Sequence, residues 1–217
     1  MIGQMGSFDR PSADTGDPLE LYLHGYVSSR IMNLTRRTPG AGAGAGAEGS
    51  PPPRPGLPVC VAASHCDGLV LALSAFSHSY NYRSAILFGH ATIVEDKEEK
   101  LYAMELITNS VVPDRWRNTR LPPNNSEMQS TSILKVKIVS GSAKIRDGNC
   151  HDEQADMQNQ EAVDRIWTGV LPIHQVVGEP ITGPYNKVDT PAYMTEFISD
   201  FNTEQKDSSI KAAQEKS

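Results

Sequence analysis

Tyr80-Asn81-Tyr82-Arg83-Ser84, followed at once by Ala85-Ile86-Leu87-Phe88 and Gly89, is the stretch that decides the fold. Its second half is an apolar run of strand length closed by a glycine, and its first half gathers hydrogen-bonding groups at the mouth of that strand. A phosphate needs a guanidinium for charge-matched two-point bonding and a hydroxyl or amide for its remaining oxygens, all carried on a rigid element. Arg83, Ser84 and Asn81 form such a set. A strand with a merely polar edge is the plainer reading of the same five residues.

A second segment of this kind lies upstream. Leu19-Glu20-Leu21-Tyr22-Leu23-His24-Gly25 alternates apolar residues as a half-buried strand does, and Gly25 relaxes the backbone before Ser28-Ser29-Arg30. Either serine can cap a helix carrying Ile31, Met32 and Leu34. A helix N-terminus with an arginine in its first turn attracts anions.

Composition bounds the rest. The 217 residues, 38% of them hydrophobic, are enough for one domain with a core, here read as residues 19–195. No apolar run approaches the ~20 residues of a spanning helix, and Met1 to Arg10 do not form a secretory signal, so a cytoplasmic location without membrane contact is expected. A net charge of -6 argues against a nucleic-acid partner, which would need clustered Lys and Arg. Three cysteines make no disulfide framework and fit a reducing compartment. Cys60 and Cys66 would stand roughly 20 Å apart on an extended strand, and neither they nor His65 has a partner at ligand spacing, so no metal site is expected.

Along the chain, residues 1–18 are polar and turn-rich and are read as a disordered lead-in. Residues 38–56, with repeated Ala-Gly pairs and Pro51-Pro52-Pro53, are read as a low-complexity loop. Strands are expected over Val59 to Ala63, Gly68 to Leu73, Ala85 to Val94 and Ile133 to Val139, with Asp67-Gly68 as a hairpin signal and Ser142 to Arg146 extending or following the last. Asp96 and Glu99 have capping-box spacing ahead of a helix with Leu101, Met104 and Ile107 on its apolar face, ended by Pro113. The basic-aromatic run Asp114-Arg115-Trp116-Arg117 to Arg120 admits a nucleotide surface or, more plainly, a solvated connection. Asp147 to Asp164 reads as a loop, Tyr193 to Phe201 as a short amphipathic helix, and residues 196–217 as a polar tail.

Together these segments resemble the pyridoxamine 5′-phosphate oxidase-like, FMN-binding split-barrel family, in its branch of small flavin-nucleotide-binding proteins related to nitroimidazole reductases. The resemblance runs from about Leu19 to Tyr193. It rests on Leu21 to Gly25 with Ser29-Arg30, Gly56 to Val61, Asp67 to Ala72, Ser74-Ala75-Phe76, His78 to Ser84, Phe88 to Ala91, Ser142 to Arg146, and Trp167-Thr168-Gly169-Val170-Leu171-Pro172.

The resemblance implies an α+β, mainly β fold, a split β-barrel holding FMN. It assigns the FMN phosphate and ribityl chain to Ser29 and Arg30 and to Arg83 and Ser84, with His24, Asn81 and Tyr82 beside them, and matches Trp167 to an aromatic near the flavin. A core tryptophan anchoring the last strand is the structural alternative for Trp167. The implied assembly is a homodimer with FMN at its seam, and the implied activity is FMN-dependent oxidoreduction. The alternative is a non-catalytic flavin-nucleotide-binding or dimerisation module. Family members usually begin with a helix and two further strands, so a barrel incomplete at its N-terminus is expected. No general acid or base is demanded, although His24, His78 and His90 qualify by type.

Overall fold

In a computed structural model the residues described are 1–13, 16, 19–38 and 56–214, so most of the low-complexity loop lies outside them. The elements are β1 (Gly3–Gly6), β2 (Glu20–Tyr26), α1 (Arg30–Arg37), β3 (Leu57–Leu71), β4 (Ser79–Ile93), α2 (Lys97–Val111), α3 (Asn125–Ser130), β5 (Thr131–Arg146), α4 (Gln154–Met157), α5 (Gln160–Arg165), β6 (Gly169–Pro172) and α6 (Ala192–Ala213). The strands pair in the order β1-β2-β5-β4-β3-β6. The β1–β2, β2–β5 and β3–β6 ladders are antiparallel. The fold is α+β and mainly β, as the sequence suggests.

The chain divides into two compact units, Met1–Val61 with Leu87–Gly141 and Ala62–Ile86 with Ser142–Ser217. In the first, Leu21, Leu23, Met32, Ala91, Leu134 and Val136 form one apolar cluster. Tyr22, Val94, Ala103, Ile107 and Ile133 form another. Leu21 and Leu23 point to one side of β2 and Tyr22 to the other, and all three are buried, so β2 is covered on both faces rather than half wet. Tyr22 can be buried because its hydroxyl donates to Glu99 Oε1 at 2.8 Å, and Lys135 Nζ donates to the same oxygen at 2.8 Å. Burial and then Glu99 push the Tyr22 hydroxyl well above its ordinary pKa.

α2 begins as expected. The Asp96 side chain accepts from the Glu99 amide at 2.8 Å. The reciprocal half of a capping box is replaced by Glu99's bonds to Tyr22 and Lys135, while α3 carries a full box between Asn124 and Glu127.

Several expectations are corrected. Residues 3–6, read as part of a disordered lead-in, are a strand: Gly3 and Gly6 let β1 lie against Leu23 and against Leu106 and Tyr102, where side chains would collide. Asp67-Gly68 is not a hairpin. β3 runs through it unbroken, because the Asp67 carboxylate is taken by Arg83 and Gly68 lies flat against β6, where a Cβ would sit 2.9 Å from Val170 Cγ1. β4 begins at Ser79, six residues before the apolar run, and β5 is continuous to Arg146. Residues 147–164 contain the short helices α4 and α5, and the polar tail is helical to Ala213. Among the described residues no helix is long and apolar enough to cross a membrane.

A candidate flavin phosphate site

In the second unit, the start of β4 carries the polar residues singled out above. Arg83 Nε donates to Asp67 Oδ2 and Nη2 to Asp67 Oδ1, both at 2.9 Å, so β3 grips the guanidinium along one edge. Asp67 is buried, with 3% exposure, whereas Arg83 is 52% exposed. Its hydrogen bonds to Asp67 hold the guanidinium above its ordinary pKa. His65 Nε2 stands 3.5 Å from Asp67 Oδ1.

Arg83 and Ser84 line an open pocket of about 470 Å³ with Ser64, His65, Gln175 and Gln205. Ser84 Oγ donates to the Lys144 carbonyl at 3.3 Å, and Lys144 Nζ lies 5.7 Å above the centre of the Tyr82 ring. The remaining guanidinium N–H groups, the imidazole and the Gln175 and Gln205 amides around one concavity are a donor set suited to phosphate oxygens. Asp67 and His65 were not recognisable as members from sequence. Their signal was the alternation of β3, which places residues 65 and 67 on one face, obscured by the turn signal of Asp67-Gly68.

Asn81 belongs elsewhere. It is fully buried, its amide nitrogen donates to the Gly148 and Ala212 carbonyls at 2.9 Å each, and its oxygen accepts from Arg146 Nη1. An amide with both ends engaged has nothing left for a ligand, so Asn81 ties β4 to β5 and α6 instead. Trp167 is no core residue: it is 61% exposed, its ring lying over Gly169. Gly169 has φ +147, and a Cβ there would sit 3.0 Å from the ring.

The first unit holds His24, Ser29 and Arg30. Ser29 is the N-cap residue of α1, yet its side chain makes no cap bond and its buried Oγ has no partner. That hydroxyl stands at the N-terminus of α1 beside the exposed Arg30. His24, on β2, has Nδ1 3.4 Å from the Ile2 carbonyl and lines a different pocket, described below. The predicted residues thus form two groups, one in each unit.

A family model described as pyridoxamine 5′-phosphate oxidase matches residues 13–145. The chain belongs to this pyridoxamine 5′-phosphate oxidase-like, split-barrel family. Among solved structures it is similar to the FAD and haem binding protein from Mycobacterium smegmatis, with 25% identity, a TM-score of 0.66, and 85% of this chain and 79% of that one covered. It is also similar in fold to the flavocytochrome Anf3 from Azotobacter vinelandii, at 23% identity and a TM-score of 0.65, with 90% of this chain and 84% of that one covered. No curated protein matches the chain.

Proposed function

We propose that this chain is a flavin-nucleotide-binding protein, with FMN as the cofactor, that works as an FMN-dependent oxidoreductase. The observation that carries the proposal is the Arg83–Asp67 pair beside an open pocket in a member of this family. Arg83 and Ser84, with His65 beside them, are the residues that would hold a phosphate. The unpartnered Ser29 hydroxyl and Arg30 form a second anion-binding group. Asn81 is left out of this set. Flavin, when bound, supplies the chemistry: it accepts a hydride from a reduced nicotinamide and passes electrons to a small acceptor. The protein's part is to bind and orient it. Arg83 is fixed by Asp67 before any ligand arrives, so little side-chain entropy is lost on binding.

FAD in place of FMN is the second reading, favoured by the 25% identical Mycobacterium smegmatis protein, which binds FAD and haem. The absorption spectrum of the purified chain, followed by chromatography of the released cofactor, tests both. Flavin bands with FMN in the extract support the first reading, and FAD in the extract supports the second. A colourless protein that ignores both added nucleotides removes the proposal.

A further inference from the structure

The first unit contains a pocket of about 550 Å³, within the ~300–1,000 Å³ of small-molecule sites. Ile107 and Val111 of α2 form one wall, and Trp116 and Leu121 of the connection to α3 form the other. His24 reaches it from β2 and Thr108 from α2. This is the basic-aromatic run of the sequence, a connection exposed to solvent at every residue from 114 to 120 except the half-buried Trp116.

The outer wall is pinned. The Trp116 amide donates to Asn109 Oδ1 at 2.8 Å, and Thr119 donates from both its amide and its hydroxyl to the Trp116 carbonyl, at 3.1 and 2.7 Å. Arg120 donates to the Pro122 carbonyl at 3.0 Å and to Glu127, whose other oxygen accepts the Asn124 amide at 2.7 Å. Lys100 Nζ holds the Met128 carbonyl at 2.6 Å. These bonds keep the walls apart while Val111 and Leu121 stay 51% and 42% exposed, apolar surface that an unpinned segment would fold in and cover. A concavity held open against collapse is pre-organised for an occupant.

Beside the threonines and the charged Arg115, Arg120 and Glu127 of the lining, His24 is the imidazole that gives the pocket direction. His24 Nδ1 lies 3.4 Å from the Ile2 carbonyl, which only accepts, a contact that suits the tautomer with the proton on Nδ1. In that tautomer Nε2 is the acceptor of the ring, and His24 is among the residues that line the pocket. We infer that this pocket is a second small-molecule site, for a planar aromatic hydroxy compound whose ring lies between Ile107 and Trp116 and whose hydroxyl donates to His24 Nε2. Neither Arg83 nor Ser84 is among its lining residues.

Titration calorimetry of the full chain with 2-naphthol, and separately with naphthalene, tests the inference. One-to-one binding of 2-naphthol is expected, with naphthalene at least tenfold weaker. His24→Phe, which keeps an aromatic ring and removes the acceptor, brings 2-naphthol down to the naphthalene level. Thr108→Trp fills the pocket and abolishes binding. Leu121→Asp, at a half-exposed position that folding tolerates, weakens it tenfold or more and serves if the tryptophan variant does not fold. Arg83→Ala leaves 2-naphthol binding unchanged even where it abolishes flavin binding, which separates this site from the flavin proposal. No binding by the folded protein, or binding that survives both Thr108→Trp and Leu121→Asp, overturns the inference. Equal affinity for naphthalene overturns the role of His24.

Discussion

Asp67 and Arg83 meet edge to edge, the buried carboxylate on β3 accepting two 2.9 Å hydrogen bonds from the half-exposed guanidinium on β4. The pairing is asymmetric. Without Asp67, Arg83 returns to water. Without Arg83, a buried carboxylate keeps only His65 nearby.

Arg83→Ala therefore acts on folding and on binding. Stability is expected to fall by about 2 kcal/mol in urea titration, more than for Asp67→Asn, because a buried charge loses its hydrogen-bond partner. FMN affinity is expected to drop about thirtyfold, equivalent to ~2 kcal/mol, as on loss of a charge-assisted pair. Riboflavin, without the phosphate, binds both proteins equally weakly. Unchanged FMN affinity in folded Arg83→Ala would falsify the phosphate assignment.

Asn81→Ala separates structure from ligand binding. Three carbonyl and guanidinium partners lose their bonds inside the second unit, and a loss of about 2–3 kcal/mol is expected. FMN affinity, measured on the folded fraction, stays within twofold of the parent. A large affinity loss with unchanged stability reverses the assignment.

The Tyr22–Glu99–Lys135 network sets an alkaline limit. The Tyr22 hydroxyl is raised above its ordinary 10.0 by burial and Glu99. Burial alone would lower Lys135, but Glu99 and Glu20 outweigh it and leave it raised. Above pH ~10 the unfolded chain gives up these protons and the folded one keeps them. The unfolded state then binds fewer protons, and stability falls as pH rises, by at most ~1.4 kcal/mol per pH unit for each group. This contribution is fully present below pH ~10. Denaturant titrations from pH 8 to 11 on the parent and Tyr22→Phe check it: the variant has the shallower decline, and identical slopes refute the tyrosine's share.

We propose assembly through β4. Ile86 and Phe88, two residues apart on one face, are 41% and 49% exposed. Such a pair on a strand favours a covered state, and a homodimer of twice 23.6 kDa is expected by sedimentation. Phe88→Lys shifts it to monomer. A parent that sediments as a monomer at micromolar concentration overturns this dimer.

Local rules made much of this protein legible in its sequence. The short-range pattern of Asp96 and Glu99 marks the start of α2, since a cap depends on residues three apart. The apolar run 85–88 marks a strand, and the order of the matched segments indicates the family. What remained hidden depended on residues distant in the chain. β1 is a strand because β2 offers it an edge, and its glycines, poor strand formers alone, are what allow the close approach. Asp67-Gly68 has the composition of a turn, yet a partner sixteen residues away on β4 and the flat packing of β6 hold it extended. Asn81 and Arg83 look equivalent as phosphate donors in a pentapeptide. Only the fold, by burying one under α6 and leaving the other half in solvent, decides which can meet a ligand, because burial and hydrogen-bond supply belong to the packed chain and not to the residue type.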